Sequence, residues 1–299
     1  MTNKGSVPNR HHWVPQFYLS YFTTQPNASK VYVTDVKAAY AGDPLRKVTE
    51  QAKDIAYIRH LYSAAGEQPK EVDVRLELMF RELETEAGRL WARIDKGTVS
   101  ALPPGSEDRA LMSRYIAAQH LRTPRTIAVA KYANAATTSL DLQTTEDAEH
   151  FFEALSQIPL HLGDTPNDMR ERELFREAQT TFVDPIADKL NAMHWTMRVL
   201  DKRKFVTNDN PVYVVRRETM ESWMIGDPDS IVMFPVTARH FLILAGSAVT
   251  TPDGVFEASH EAFAEAANRL TVHYSTNEAY SPFRLGEDFK FFRDSKGSS

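Results

Sequence analysis

His194-Trp-Thr-Met-Arg-Val-Leu200, then Asp201-Lys-Arg-Lys204, then Phe205-Val-Thr-Asn-Asp-Asn-Pro-Val212: along these nineteen residues the chain stops reading as helix and begins to read as sheet. Residues 194–200 and 205–207 are rich in β-branched and aromatic side chains, and the polar run between them suits a turn, so the stretch predicts a hairpin. Downstream, 212–215, 231–234 and 241–244 read as further strands, 258–269 as a last helix and 271–274 as a closing strand. Upstream, 31–36 is a short strand near the amino terminus. Everything between is helical in period.

The clearest helix spans 72–94, where Val72, Leu76, Met79, Phe80, Leu83, Ala87, Leu90, Trp91 and Ile94 recur at steps of three and four. Pro103-Pro104-Gly105 breaks the chain. Ser106 then makes an N-cap, with Glu107 and Asp108 in the first turn of a helix running to about Arg122. Helix is expected to resume after Thr123-Pro124 through roughly Ala136, and again over 145–157 and 167–191. The fold class that follows is α+β: a helix-rich middle and a small mixed or antiparallel sheet built from amino-terminal and carboxy-terminal segments. The length leaves room for one large domain or two small ones, and residues 284–299 read as a carboxy-terminal tail.

Composition narrows the chemistry. Of 299 residues 42% are apolar and 25% charged, the balance of an ordinary globular protein, and 35 basic against 40 acidic side chains leave a net charge of −5. Wholesale coating of nucleic acid or of an anionic membrane is therefore not expected. The absence of cysteine removes disulfides, thiolate nucleophiles and Cys-bearing metal sites at once. The polar start and the lack of any apolar run near the roughly 20 residues of a membrane span lead to the expectation of a cytoplasmic protein with no membrane partner. Glycine-rich phosphate loops, HExxH, EF-hand and GxSxG signatures are all missing. Charge is unevenly spread: residues 1–70 hold nine basic and five acidic groups, 101–140 five and two, and 193–220 six and three, whereas 141–192 carries twelve acids against four bases.

Each of those basic segments contains a polar cluster. The first is Asn9-Arg10-His11-His12-Trp13-Val14-Pro15-Gln16-Phe17-Tyr18-Leu19. Val14 is pushed extended by Pro15, and Pro15 suits the first position of a short helix that turns Phe17, Leu19 and Phe22 inward. In extended chain His11 and His12 point to opposite faces, so they do not serve one site together; one could be functional while the other caps or is solvated. The second cluster is Arg114 to Thr123, in which Gln119 and Arg122 border an apolar helix stripe and so require polar partners: a buried carboxylate, a backbone carbonyl or a ligand. Glu77 and Glu84, seven residues or roughly 10.5 Å apart along a helix, cannot chelate one ion together but could pair with Arg122. The third is Thr207-Asn208-Asp209-Asn210-Pro211, which suits either an Asx-turn or a strand-end loop presenting Asp209, oriented by Asn210, as a base or as a ligand for Mg²⁺ or another divalent cation.

Taken together, the first cluster, Gln119-His120-Leu121-Arg122-Thr123-Pro124, Trp195, and Phe205 through Val212 resemble the DUF4238 family, with Phe234-Pro235-Val236-Thr237 and Asn268 as carboxy-terminal landmarks. The resemblance covers about residues 10–280 in the family's order and implies a single full-length domain over residues 1–283, without supplying an activity. Asn208 stands where the family usually has serine, which removes a hydroxyl but leaves Asp209 and Asn210 in place. Two functional readings follow from the residues. In one, the protein is a hydrolase acting on a phosphodiester: His12 or His11 is the general acid or base, Asp209 binds metal or orients the imidazole, and Arg122, Gln119, Gln16 and Asn210 hold the anion. In the other, the same basic cleft binds nucleic acid or another anionic partner without chemistry. A structural reading runs beside both, in which the motifs satisfy one another, with histidine meeting Asp209 and Arg122 meeting Glu84 or Glu77.

Overall fold

The computed structural model describes residues 10–26, 28–36, 38, 47–59, 64–65, 72–73, 75–123, 126, 169–222, 224–249 and 252–285. In chain order these form β1 (Arg10–His12), α1 (Gln16–Leu19), β2 (Lys30–Asp35), β3 (Lys47–Gln51), β4 (Tyr57–Arg59), β5 (Ala64–Ala65), β6 (Val72–Asp73), α2 (Arg75–Asp95), α3 (Glu107–Leu121), α4 (Met169–Ala192), β7 (His194–Val199), β8 (Thr207–Asn208), β9 (Tyr213–Arg216), β10 (Ser230–Thr237), β11 (His240–Ala245), β12 (Val255–Ala258), α5 (Glu261–His273) and β13 (Glu278–Ser281). Apart from Thr126, the helices expected through Ala136 and over 145–157 lie outside the described residues. No helix among the described residues is long and apolar enough to cross a membrane.

The α+β architecture is a sheet between two apolar layers. Strands run in the order β12-β7-β11-β10-β9, with β12 parallel to β7 and every other neighbour antiparallel, so the sheet is mixed. Successive residues of a strand face opposite sides. Val212, Val214, Val232, Phe234, Val236, Leu242 and Leu244 join the core shared with α2, α3 and α4, whereas Tyr213, Val215 and Phe241 pack with Phe205, Ala264 and Ala267 under α5. That double burial explains the unbroken apolar run at Phe241-Leu-Ile-Leu-Ala245, where a one-sided sheet would alternate with polar residues.

α2 buries Leu76, Phe80, Ala87, Leu90, Trp91 and Ile94, most of the stripe read from the sequence, while Val72 falls in β6 instead. α3 begins where expected: the Ser106 hydroxyl accepts the Arg109 N–H at 3.3 Å. It is buried on nearly every side, with α2 and α4 as neighbours, which is why it carries little amphipathic pattern. Pro15 is the N-cap of α1, one position before the expected first turn.

A second, antiparallel sheet of order β3-β2-β13-β8 joins residues from both ends of the chain, the sheet anticipated from the sequence. Its composition corrects two expectations. The hairpin of 194–200 with 205–207 does not form: β7 pairs with β11 and β12, and β8 pairs with β13 in the other sheet. The N–H groups of Leu200, Lys204 and Phe205 instead reach the carbonyls of Arg239 and Ala238. The turn-like residues thus hand the chain from one sheet to the other. The strand expected over 271–274 is also absent, because α5 runs on to His273 and the Thr271 hydroxyl bonds back to the Ala267 carbonyl at 2.9 Å.

Candidate functional site

β1 pairs antiparallel with β4, so that Arg10 lies opposite Arg59, His11 opposite Ile58 and His12 opposite Tyr57. Alternation puts the two histidines on opposite faces, as the extended-chain reading requires. His11 is buried, 1% exposed. His12 is half-buried: its Nε2 lies 3.1 Å from the Lys53 carbonyl, the exposed Gln16 amide nitrogen lies 3.3–3.4 Å from its ring nitrogens, and its ring tilts over Tyr57 at 5.7 Å between centroids.

The next residue ties the three clusters together. Trp13 donates its indole N–H to the Asp209 carbonyl at 3.2 Å, accepts the Gln119 amide on its own carbonyl at 2.8 Å, and donates its backbone N–H to the Ala56 carbonyl at 3.0 Å. Gln119, fully buried, in turn accepts two N–H bonds from Arg122, at 3.1 and 3.0 Å. Arg122 is 2% exposed. It reaches Glu84 at 2.7 Å and lies over the Phe80 ring at 5.1 Å. Of the two carboxylates that could meet Arg122, Glu84 makes the ion pair. Glu77 stays beside it with its pKa raised by burial and by the charge of Glu84, against the pull of Arg122.

Asp209 is entirely buried. One carboxylate oxygen accepts the Thr276 N–H at 2.7 Å; the other accepts Asn277 at 2.8 Å and Glu278 at 3.2 Å. Burial pushes the carboxyl up to about 7, against the opposing pull of the Thr276 and Asn277 amides. Asn208 accepts the Asn210 N–H at 3.0 Å, the Asx-turn that the sequence allowed, and its amide donates to the Thr271 carbonyl. Asn210 donates to the Tyr274 carbonyl at 3.4 Å. The other landmarks are stitched in the same way. Asn268 bridges the Val206 N–H (3.0 Å) and the Lys204 carbonyl (2.8 Å), Thr207 meets the Tyr18 hydroxyl at 2.8 Å, and the Val236 carbonyl accepts the Trp91 indole at 2.8 Å.

These bonds put a physical cause under every motif, and the motifs run the length of one family's pattern. The chain belongs to the DUF4238 family. The model of that family, described as a protein of unknown function, matches residues 10–282, from the first residue of β1 to the residue after β13. No curated protein and no solved structure matches the chain. Within this DUF4238 domain the residues singled out from sequence fall into two sets. His11, Gln119, Arg122, Asp209 and Asn210 are buried, whereas His12 is half-buried and Gln16 exposed. No group of three His, Asp or Glu side chains is arranged to hold a metal ion among the described residues.

Two anchors escape a reading of the sequence. Trp13 draws no role of its own there, although an indole always carries one donor that burial obliges to find a partner. Arg109, 1% exposed, donates to the carbonyls of Leu102, Asn191 and Met193, pairs with Asp253 at 2.7 Å and lies 4.9 Å from the Trp195 ring centroid. Burial would raise the Asp253 carboxyl, but the bonds from Arg109 and the Trp195 amide outweigh it and hold it below the usual range. In the sequence Arg109 looks like one more charge in a helix's first turn, and only its position on the inward face distinguishes it.

Proposed function

We propose that this DUF4238 protein binds a phosphate-bearing anion, with single-stranded nucleic acid as the fitting class, on the face of the β1–β4 ribbon that carries His12. The supporting observation is the ribbon's register: two arginines stand opposite one another at Arg10 and Arg59, next to a pair of rings at His12 and Tyr57. Cationic groups beside aromatic rings are how proteins hold a single strand, phosphates on the charges and bases on the rings. In this reading His12 and Gln16 contact the ligand. His11, Gln119, Arg122, Asp209 and Asn210 fix the ribbon's seat through Trp13.

Hydrolysis of the bound phosphodiester is the second reading, and one observation favours it: His12 is the imidazole of this ribbon that reaches solvent, held by the Lys53 carbonyl and Gln16. An imidazole in that position can act as general acid or base, with Mg²⁺ or another divalent cation arriving with the substrate.

Fluorescence anisotropy of a labelled strand of about 12 nucleotides, a length within the site sizes of single-strand binders, tests both when titrated with the full chain over a series of salt concentrations. Binding should weaken with salt, and Arg10→Ala with Arg59→Ala should lower the slope of log K against log salt by about 0.7 for each phosphate that is no longer neutralised. Absence of binding at low salt, or indifference to both substitutions, refutes the site. Product formation abolished in His12→Ala, with binding retained, selects hydrolysis.

A further inference from the structure

Away from all three motif clusters, a cavity of about 280 Å³ lies between the carboxy-terminal end of α2 and the edge of the mixed sheet, lined by Asp95, Lys96, Arg239, His240 and the apolar Ile94, Val99 and Phe256 among others. Its rim is a tight turn. Gly97 reverses the chain with φ 71°, and the N–H groups of Thr98 and Val99 close on the Arg93 carbonyl.

Three of the charged groups that border it keep hydrogen-bonding capacity open among the described residues. Arg239 donates its Nε–H to the Leu200 carbonyl at 3.1 Å, and its two terminal nitrogens have no partner among the described residues. The Asp95 carboxylate and the Lys96 ammonium likewise make no hydrogen bond or ion pair there. The Asp95 charge acts on Arg203, which burial and Arg239 together depress. Elsewhere the deeply buried arginines 109 and 122 and the buried Asp209 have protein partners. His240, 4% exposed, has its Nδ1 2.9 Å from the Thr237 hydroxyl, which leaves Nε2 for an occupant. Burial lowers its pKa to about 4, so at neutral pH the ring is an uncharged hydrogen-bonding group.

An occupant must meet a cationic fork, an ammonium, a carboxylate and a neutral imidazole over an apolar wall. A simple anion would satisfy Arg239 and Lys96 but stand against Asp95; a simple cation would do the reverse. We propose that this cavity binds a small apolar zwitterion of the α-amino-acid class, its carboxylate on Arg239 and Lys96, its ammonium on Asp95 and His240, and its side chain against Ile94, Val99 and Phe256. The volume suits a ligand of that size, at the lower end of small-molecule sites.

Thermal denaturation of the full chain with each of the twenty protein L-amino acids tests this. An apolar amino acid at about ten times its Kd should raise Tm by about 2 °C for a chain of this length. That rise should disappear in Asp95→Asn and in Arg239→Ala. Asp95 is partly exposed and makes no direct bond among the described residues, so Asp95→Asn should keep the wild-type Tm without ligand, whereas Arg239→Ala gives up its bond to the Leu200 carbonyl and its response is read against its own ligand-free Tm. Isovalerate and isobutylamine, each of which carries one of the two charges of valine, should each bind with less than a tenth of the affinity of L-valine. The proposal is overturned if no amino acid shifts Tm, if the shift survives both substitutions, or if isovalerate or inorganic phosphate alone reproduces it.

Discussion

Asp209→Asn separates a carboxylate that holds the fold from one that meets a ligand. The side chain receives three backbone N–H groups, one on Oδ1 and two on Oδ2. Asparagine offers one oxygen. Its better orientation keeps that oxygen on Asn277 and Glu278 and turns its NH₂ against the Thr276 N–H, now 2.7 Å away with nothing to accept it. An orphaned buried donor costs about 1–3 kcal/mol. The opposing contribution is charge. The carboxyl titrates at about 7 in the fold against an ordinary 3.8, which corresponds to roughly 4 kcal/mol against ionisation. Because the folded pKa is the higher one, the stability linked to Asp209 is fully present below about pH 4 and is lost as pH rises through 7. Urea unfolding followed by tryptophan fluorescence should therefore find Asp209→Asn destabilised by about 1–3 kcal/mol near pH 5, with the deficit shrinking towards zero or reversing by about pH 8. A deficit that grows with pH would mean that the amides favour the ionised form and would refute the reasoning. Unchanged stability at both pH values, with loss of anion binding, would make Asp209 a ligand contact.

Three further outcomes follow. His240 titrates at about 4, below its usual 6.5, so its contribution is present above about pH 6.5 and is lost in acid, worth about 3 kcal/mol; between those values this runs opposite to Asp209, and His240→Gln should make stability rise towards acid in urea titrations where the wild type stays nearly flat. Glu84→Ala leaves the buried Arg122 without its ion-pair partner and should cost about 2–3 kcal/mol, allowing for the 30% exposure of Glu84; adding Arg122→Met should restore part of that loss in the same assay, whereas additive losses would contradict the pairing argument. Trp13→Phe keeps a ring but loses the bond to the Asp209 carbonyl, so unfolding free energy should drop by about 1–2 kcal/mol, and anion affinity should fall only as far as the ribbon's seat loosens.

How much of this is legible in the chain depends on whether the deciding contact is local. The stripe of α2, the Ser106 cap and the opposition of His11 to His12 each follow from the spacing of neighbours, and each is found. The expected hairpin does not form because 201–204 satisfies local turn chemistry equally well when the chain crosses between sheets; what chooses is the distant Ala238 carbonyl and the pairing of β8 with β13. The end of α5 departs from its local pattern for a related reason: Thr271 and Val272 favour strand locally, but burial under the sheet and the Thr271 bond to Ala267 keep them helical. Arg122 shows the same limit in the site. Its need for a partner is visible from its position on the helix, but Gln119 as a double acceptor and Glu84 rather than Glu77 as the counter-charge depend on how α2 and α3 cross.

The division between satisfied and unsatisfied polar groups carries the functional argument further than the motifs do. Polar residues in a row at a strand end look like chemistry because burying them is costly without partners. In Asn208-Asp209-Asn210 that cost is met within the fold, by three amides, an Asx-turn and the carbonyls of Thr271 and Tyr274 at the end of the last helix. A group already saturated in this way has to break a bond before it can touch a ligand. Arg239, Asp95 and Lys96 belong to no recognised motif, yet they keep hydrogen-bonding capacity open beside a cavity. At His12 and Gln16 the first motif reaches solvent, and there an anion could be met without taking the core apart.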